Sequence, residues 1–272
     1  MKVVVCFSLV EDIDNLSKRE WALIQEQSSD QSMIRKKVGL SEESALEQVL
    51  RIPQMLPNHE EIALEAVSFY YQESTEQVNL STKLTALGYH VTNFYGAEFI
   101  RYQAQKKGDI LRTYLDQSKQ TDLFVFAHEN EVLGFDELPY YLAEKLEVPL
   151  ISNVAKIEEI TTKKLLLSVN QPNGTALVEV DLPAIITIGL STITHLRMPT
   201  LKDRIQTKNN PINKIQIQQN YPEIEQPNYS KSLPEQWKPI ELKPRIGKIT
   251  TLADEESIEE VYQLLMEGSK DK

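Results

Sequence analysis

A chain of 272 residues in which 41% of the side chains are hydrophobic and 25% charged holds enough apolar material for one large core, or one core with a small appendage, and excludes disorder throughout. A formal net charge of -11 repels phosphate backbones, and no basic patch with interleaved aromatics offsets it, which argues against nucleic acid as a partner. Cys6 is the only cysteine, ruling out an internal disulfide and a zinc site built on several thiolates; a reducing compartment fits best. The apolar start of the chain meets Glu11 and Asp12 before a secretory segment is complete, and no later stretch has the length of a membrane span. A cytoplasmic location is the expectation.

Residues 2–10 form a nearly continuous, β-branched apolar run, the pattern of a parallel strand buried on both faces. Residues 41–50, with Ala45, Leu46, Val49 and Leu50, have helical spacing and propensity. Asn58 and Glu61 make a capping-box-like start, after which Ile62, Ala63, Ala66, Val67 and Tyr70 recur as in an amphipathic helix. Residues 89–94 read as a strand, 109–118 as a helix and 123–127 as a short buried strand. Asp136 is placed to cap a helix through Leu142, Ala143 and Leu146, and Pro149 then leads into a strand over 150–154. Such alternation predicts an α/β fold, a mainly parallel sheet with helices on both faces, Rossmann-like and of the adenine nucleotide-binding type.

The pattern changes after residue 160. Residues 164–169 and 175–180 flank Asn170-Gln171-Pro172-Asn173-Gly174, which reads as a hairpin with a five-residue turn, and a core strand over 183–188 follows. Six of the thirteen prolines fall between Pro211 and Pro244, so residues 213–272 are expected to leave the 1–212 domain as an extended arm. The arm ends in a helix whose apolar stripe is Ile258, Val261, Leu264 and Leu265. Either it wraps back onto its own sheet or it crosses to another subunit; the pattern alone leaves both open.

Motifs for chemistry are scarce. No Gly-x-Gly pair occurs among the nine glycines, so a dinucleotide fingerprint and a phosphate-binding loop are both missing. The four histidines are scattered, without the helical pairing of a zinc enzyme, and no nucleophile stands with a base; neither catalytic nor metal-ligating residues are expected. His128-Glu129-Asn130-Glu131 is the polar cluster of interest, because it follows a buried strand and ligands of open α/β sheets bind beyond the carboxyl ends of strands.

One stretch carries a family resemblance. Leu182-Pro183-Ala184-Ile185-Ile186-Thr187, followed by Arg197, Pro199, Thr200-Leu201, Lys208 and Pro211-Ile212, resembles the Leu-Pro-Ala-Val-Val-Thr run, the Pro-Arg-Tyr loop and the lysine-rich segment of electron transfer flavoprotein beta subunits. Lys2-Val3-Val4-Val5-Cys6, Glu61 to Ala66 against a Glu-x-Ala-x-Glu-Glu-Ala helix, Asp122-Leu123, Leu142 to Leu146 with Pro149, and Pro244-Arg245 with Gly247-Lys248-Ile249 extend the resemblance over most of the chain.

This resemblance implies an electron carrier rather than an enzyme with its own substrate. FAD is held mainly by a partner alpha subunit, and the beta chain supplies a scaffold, an arm and a loop that docks a flavin dehydrogenase. That loop maps onto residues 197–208, with Arg197, Thr200 and Leu201 expected to bind the partner and Leu201 as its apolar anchor; Ile258, Val261, Leu264 and Leu265 are expected against the partner subunit. The family's AMP or second-FAD site maps onto His128, Asn130, Asp136 and Glu137, but in degenerate form, because Asp136-Glu137-Leu138 replaces an amide-bearing triplet and Pro139 replaces a glycine. Two further departures are a longer stretch between Asp12 and Pro57, where the helix over 41–50 looks like an added element, and a short region between Gln72 and Ala86 in which the usual strand is not visible. The other readings are an adenine-nucleotide-binding regulatory module and a non-flavin structural paralogue of the same fold.

Overall fold

The computed structural model describes residues 1–12, 15–17, 35–56, 62–96, 104–116, 121–130, 134–189, 191 and 193–217. Its first strand, β1 (Lys2–Phe7), buries Val3, Val4 and Val5 completely, as the unbroken apolar run requires of a strand covered on both faces. The run breaks at Ser8. Leu9–Glu11 (β2) leaves the sheet and pairs antiparallel with Lys36–Val38 (β3). Next come α1 (Leu40–Met55), β4 (Ala63–Tyr70), α2 (Thr75–Ala86), β5 (His90–Tyr95), α3 (Ala104–Asp116) and β6 (Leu123–Ala127). A small ladder of β7 (Glu129–Asn130) and β8 (Gly134–Phe135) precedes α4 (Leu138–Leu146). The strands β9 (Leu150–Ile160), β10 (Lys164–Gln171), β11 (Gly174–Asp181) and β12 (Ala184–Ile188), the short α5 (Leu201–Gln206) and β13 (Asn213–Gln216) complete the described chain.

Nine strands form one sheet in the order β11-β10-β9-β12-β6-β1-β4-β5-β13, parallel from β9 to β13 and closed at the other edge by the antiparallel β9-β10-β11 meander. Alternate side chains of β1 divide the core, as the two-residue period demands. Val3, Val5 and Phe7 join Leu46 and Val49 of α1 and Leu84 of α2, whereas Val4 and Cys6 join Leu111 of α3 and Leu142 of α4. Helices thus cover both faces, and the fold is an α/β, Rossmann-like one.

Several sequence expectations need correction. Residues 63–70 are a strand, not an amphipathic helix; Asn58 and Glu61 lie outside the described residues. Leu64 to Ser68 are all buried, and a strand covered on both faces carries no polar alternation, so its apolar residues mimic a helical stripe. The buried Glu65 in its middle is paired with Lys2 Nζ at 2.9 Å and accepts a hydrogen bond from Tyr114 Oη at 2.7 Å. The region between Gln72 and Ala86, where the usual strand was not visible in the sequence, holds no strand but α2, capped by Ser74 Oγ on the Gln77 N–H. The hairpin turn is two residues, Pro172-Asn173, because Asn170 and Gln171 extend the ladder and Gln171 pairs with Gly174. Gly174 has φ +136°, a backbone conformation that favours glycine. Asn213–Gln216, assigned to the arm, pairs in parallel with β5, and the compact unit spans Met1–Tyr221. The terminal stripe Ile258, Val261, Leu264 and Leu265 lies outside the described residues.

Between β4, β5 and α2 sits a buried polar network. Asn93 Nδ2 donates to Ser81 Oγ (3.0 Å), and its Oδ1 accepts from Ser68 Oγ (2.7 Å), which in turn accepts from Gln77 Nε2 (2.8 Å). Removing one member strands its partners without water. Asn93→Ala is expected to lower stability by about 2 kcal/mol or more; an unchanged urea midpoint for the variant would show that the network contributes nothing.

Candidate functional site

Strand order reverses at β1. The chain runs outward from β1 to β4 and β5, then returns to β6 on the other side of β1, so the carboxyl ends of β1 and β6 border the crevice where open α/β sheets bind ligands. A small cleft of about 50 Å3, partly open to solvent, lies there. Phe7, Phe69 and Phe126 make its apolar wall, and Ser8, Glu42, Lys107 and Asp136 its polar lining, with Cys6 at its base. Burial pushes the Cys6 thiol well up, Asp136 and Glu65 add to the shift and Lys107 opposes it, which leaves the thiol protonated and unreactive.

Two carboxylates define the polar side. Ser8 Oγ donates to Glu42 Oε1 at 3.0 Å. Asp136 Oδ1 accepts the backbone N–H of Leu138 at 3.0 Å, taking a donor at the start of α4, while Pro139 in the same first turn has none to offer. Glu137 occupies the N-cap position, is exposed, and makes no capping hydrogen bond with its side chain. A phosphate at this helix start would meet two acids and one cation, Lys107, among the described lining residues. These residues do not fit a nucleotide phosphate.

Of the residues mapped to a nucleotide site, only Asp136 lines the cleft. His128, beyond the end of β6, directs its Nδ1 to Thr187 Oγ1 at 3.0 Å, and the same oxygen accepts the Asn153 N–H at 3.1 Å. That cluster lies at the carboxyl end of β12 and in the first half of β9, where Asn153 has φ 57° and a Cβ on Gly189 would stand 1.9 Å from Asn153 Oδ1. Asn130 belongs to the two-residue ladder of β7. No group of three or more His, Cys, Asp or Glu side chains suited to a metal ion occurs among the described residues.

A second feature lies after β12. Residues 193–200 run along α1, held by side chains of that helix, and end in α5, where Thr200 and Asp203 form a capping box. The Thr200 hydroxyl is thereby committed to shaping the helix. None of the six residues of α5 is buried: Leu201 is 74% exposed and Ile205 67%, beside Met198 at 66%. Arg197 turns the other way, its Nη2 2.6 Å from Glu47 Oε1 on α1. Glu42, Glu43, Glu47 and Gln48 were not identified as site residues; acids on a helix read as a solvated face, and their partners lie far away in sequence.

From the cleft's composition, calorimetric titration of the purified chain with AMP or ATP is expected to give no binding heat up to about 1 mM. Stoichiometric micromolar binding would show that Asp136 and Glu42 leave room for a phosphate.

The family model for the electron transfer flavoprotein domain matches residues 42–219, more than half of the chain. No curated protein matches it significantly. The match takes in α1 from Glu42 onward, so the helix over 41–50 is part of the domain and not an added element. Electron transfer with a flavin is the role that goes with this domain. The chain belongs to the electron transfer flavoprotein domain family.

Proposed function

We propose that this chain is the beta subunit of an electron transfer flavoprotein-like heterodimer, which scaffolds a flavin-bearing alpha subunit and docks a flavin dehydrogenase. The carrying observation is the presentation of Met198, Leu201 and Ile205: three large apolar side chains face solvent on a capped helical turn whose base is tied to α1. Such residues are normally covered, and a leucine anchor suits a transient partner because apolar burial gives affinity without demanding one polar geometry. In this reading Arg197 and Thr200 shape the segment and Leu201 enters the dehydrogenase.

FAD, held mainly by the alpha subunit, supplies the electron-carrying chemistry. This chain orients the partner and presents the docking segment. The chain beyond β13 contributes its arm and the stripe Ile258, Val261, Leu264 and Leu265 to the alpha subunit. The carboxylates in the cleft weigh against a nucleotide-responsive regulatory module, the competing reading of this fold. A cytoplasmic setting accords with the single cysteine; no helix among the described residues is long and apolar enough to cross a membrane.

Co-expression with the alpha chain is expected to give a yellow heterodimer, and a stable colourless homodimer would sink the reading. Leu201→Ala is expected to leave the melting temperature unchanged, since the side chain is exposed, while weakening dehydrogenase docking by about 1–3 kcal/mol. A markedly lower melting temperature with unchanged electron transfer would make Leu201 a packing residue.

A further inference from the structure

The exposed segment needs a reason to hold its shape, and α1 provides it. Glu47, with a side chain only 3% exposed, accepts from Arg197 Nε (3.1 and 3.0 Å to its two oxygens), from Arg197 Nη2 (2.6 Å), from the Arg197 backbone N–H (3.1 Å) and from Arg51 Nε (3.1 Å). One turn earlier, Glu43 Oε2 accepts the Leu196 N–H at 3.3 Å and stands 3.4 Å from His195 Nδ1. Lys83 Nζ of α2 donates to the Leu196 carbonyl at 3.4 Å, and the Leu196 side chain is buried in the core. α1 is itself fixed: Tyr89 Oη donates to the Leu46 carbonyl (2.6 Å), while Gln48 bonds the Ala155 carbonyl (3.1 Å) and the Ile157 N–H (2.9 Å) of β9.

We infer that Glu47 is a positioning residue for the docking segment, clamping Arg197 so that Met198, Leu201 and Ile205 are presented in one arrangement before any partner arrives. The inference rests on the docking reading for its purpose, but the clamp is tested without it. A segment fixed in advance gives up less conformational freedom on binding, so the clamp acts on affinity rather than on chemistry. Arg is the residue this role needs, because its planar fork meets both carboxylate oxygens while its own N–H joins in, a geometry lysine does not reproduce.

The charged and titratable groups facing Glu47 and the clamped segment are Arg51 and Glu43 on α1, Tyr89 before β5, Lys83 on α2, and His195 and Arg197 on the segment itself. Burial raises the Glu47 value, but the hydrogen bonds and charge of Arg197 outweigh it, and the carboxyl sits below its ordinary range. With a lowered folded-state value, the clamp is fully formed above the ordinary carboxylate range near about 4.3 and opens as pH falls through the lowered value.

Hydrogen exchange of the full chain, read by mass spectrometry on peptides covering residues 193–207 and on β6, is the test. Glu47→Gln and Arg197→Lys are each expected to speed exchange of the Leu196 to Gln206 amides by about tenfold or more, with a smaller change in β6. Glu47→Asp should recover part of the protection. Should Glu47→Gln fail to fold, Arg197→Lys still carries the measurement, as does the wild-type chain followed while pH is lowered through and below the carboxylate range, after correction for intrinsic rates. Unchanged exchange in the segment, or a rise shared equally with β6, would overturn the clamp. Leu201→Ala should leave this exchange unaltered, so loss of docking in that variant judges the docking reading separately.

Discussion

A carboxylate withdrawn almost fully from water has to be paired, and Glu47 finds its partner 150 residues away in Arg197. That requirement organises the face of the sheet on which α1 lies. Leu46, Val49 and Ile52 of the same helix are completely buried, so α1 cannot rotate to bring Glu47 to solvent without exposing them. Arg197 must therefore come to the helix, and the chain after β12 follows it along α1. Removing either partner would leave the other charge stranded, which makes the pair more consequential when broken than its net contribution when intact.

The two ends of this arrangement are linked through a single helix. Glu42 in the first turn of α1 lines the cleft at the strand-order reversal, Glu43 meets Leu196, and Glu47 one turn on meets Arg197. Acids at 42 and 43 also stand in the first turn of α1, the end of the helix dipole that favours negative charge. The same side chains thus serve helix stability, cleft electrostatics and placement of the following segment. Gly39 is part of this, since a Cβ there would fall 2.2 Å from Glu42 Oε2, leaving no room for a larger residue unless Glu42 shifts.

Much of the sheet was legible from local pattern. β6 and β12 read correctly because short β-branched or aromatic runs bounded by polar residues have few other uses. β4 did not, since full burial erases the alternation that distinguishes strand from helix, and the charged Glu65 within it looked like a helix surface position until Lys2 and Tyr114 were seen to pair with it. Setting the family's helix against β4 left α1 without a counterpart, so a helix that the family match includes looked like an insertion. The candidate site was legible in outline only. Asp136 stands out by the local signal of helix capping, and it does take the Leu138 N–H, whereas Leu201 stands out only by the resemblance around it. Glu47, Glu43 and Gln48 carry no local signal, for each is defined by a partner more than a hundred residues distant.

The cleft shows how a sheet can keep a ligand-binding position while changing what it accepts. Position is set by topology: wherever strand order reverses, two carboxyl ends part and leave a crevice, whatever residues line it. Acceptance is set by which groups already occupy the donors. At the start of α4 the Leu138 N–H belongs to Asp136, and Pro139 cannot offer another. A dianion arriving there must displace an internal carboxylate that has no entropic cost of association, and must do so beside the Glu42 carboxyl as well. In the reading proposed above the internal acid wins that competition, and the segment clamped on α1, not the crevice, is the chain's binding surface.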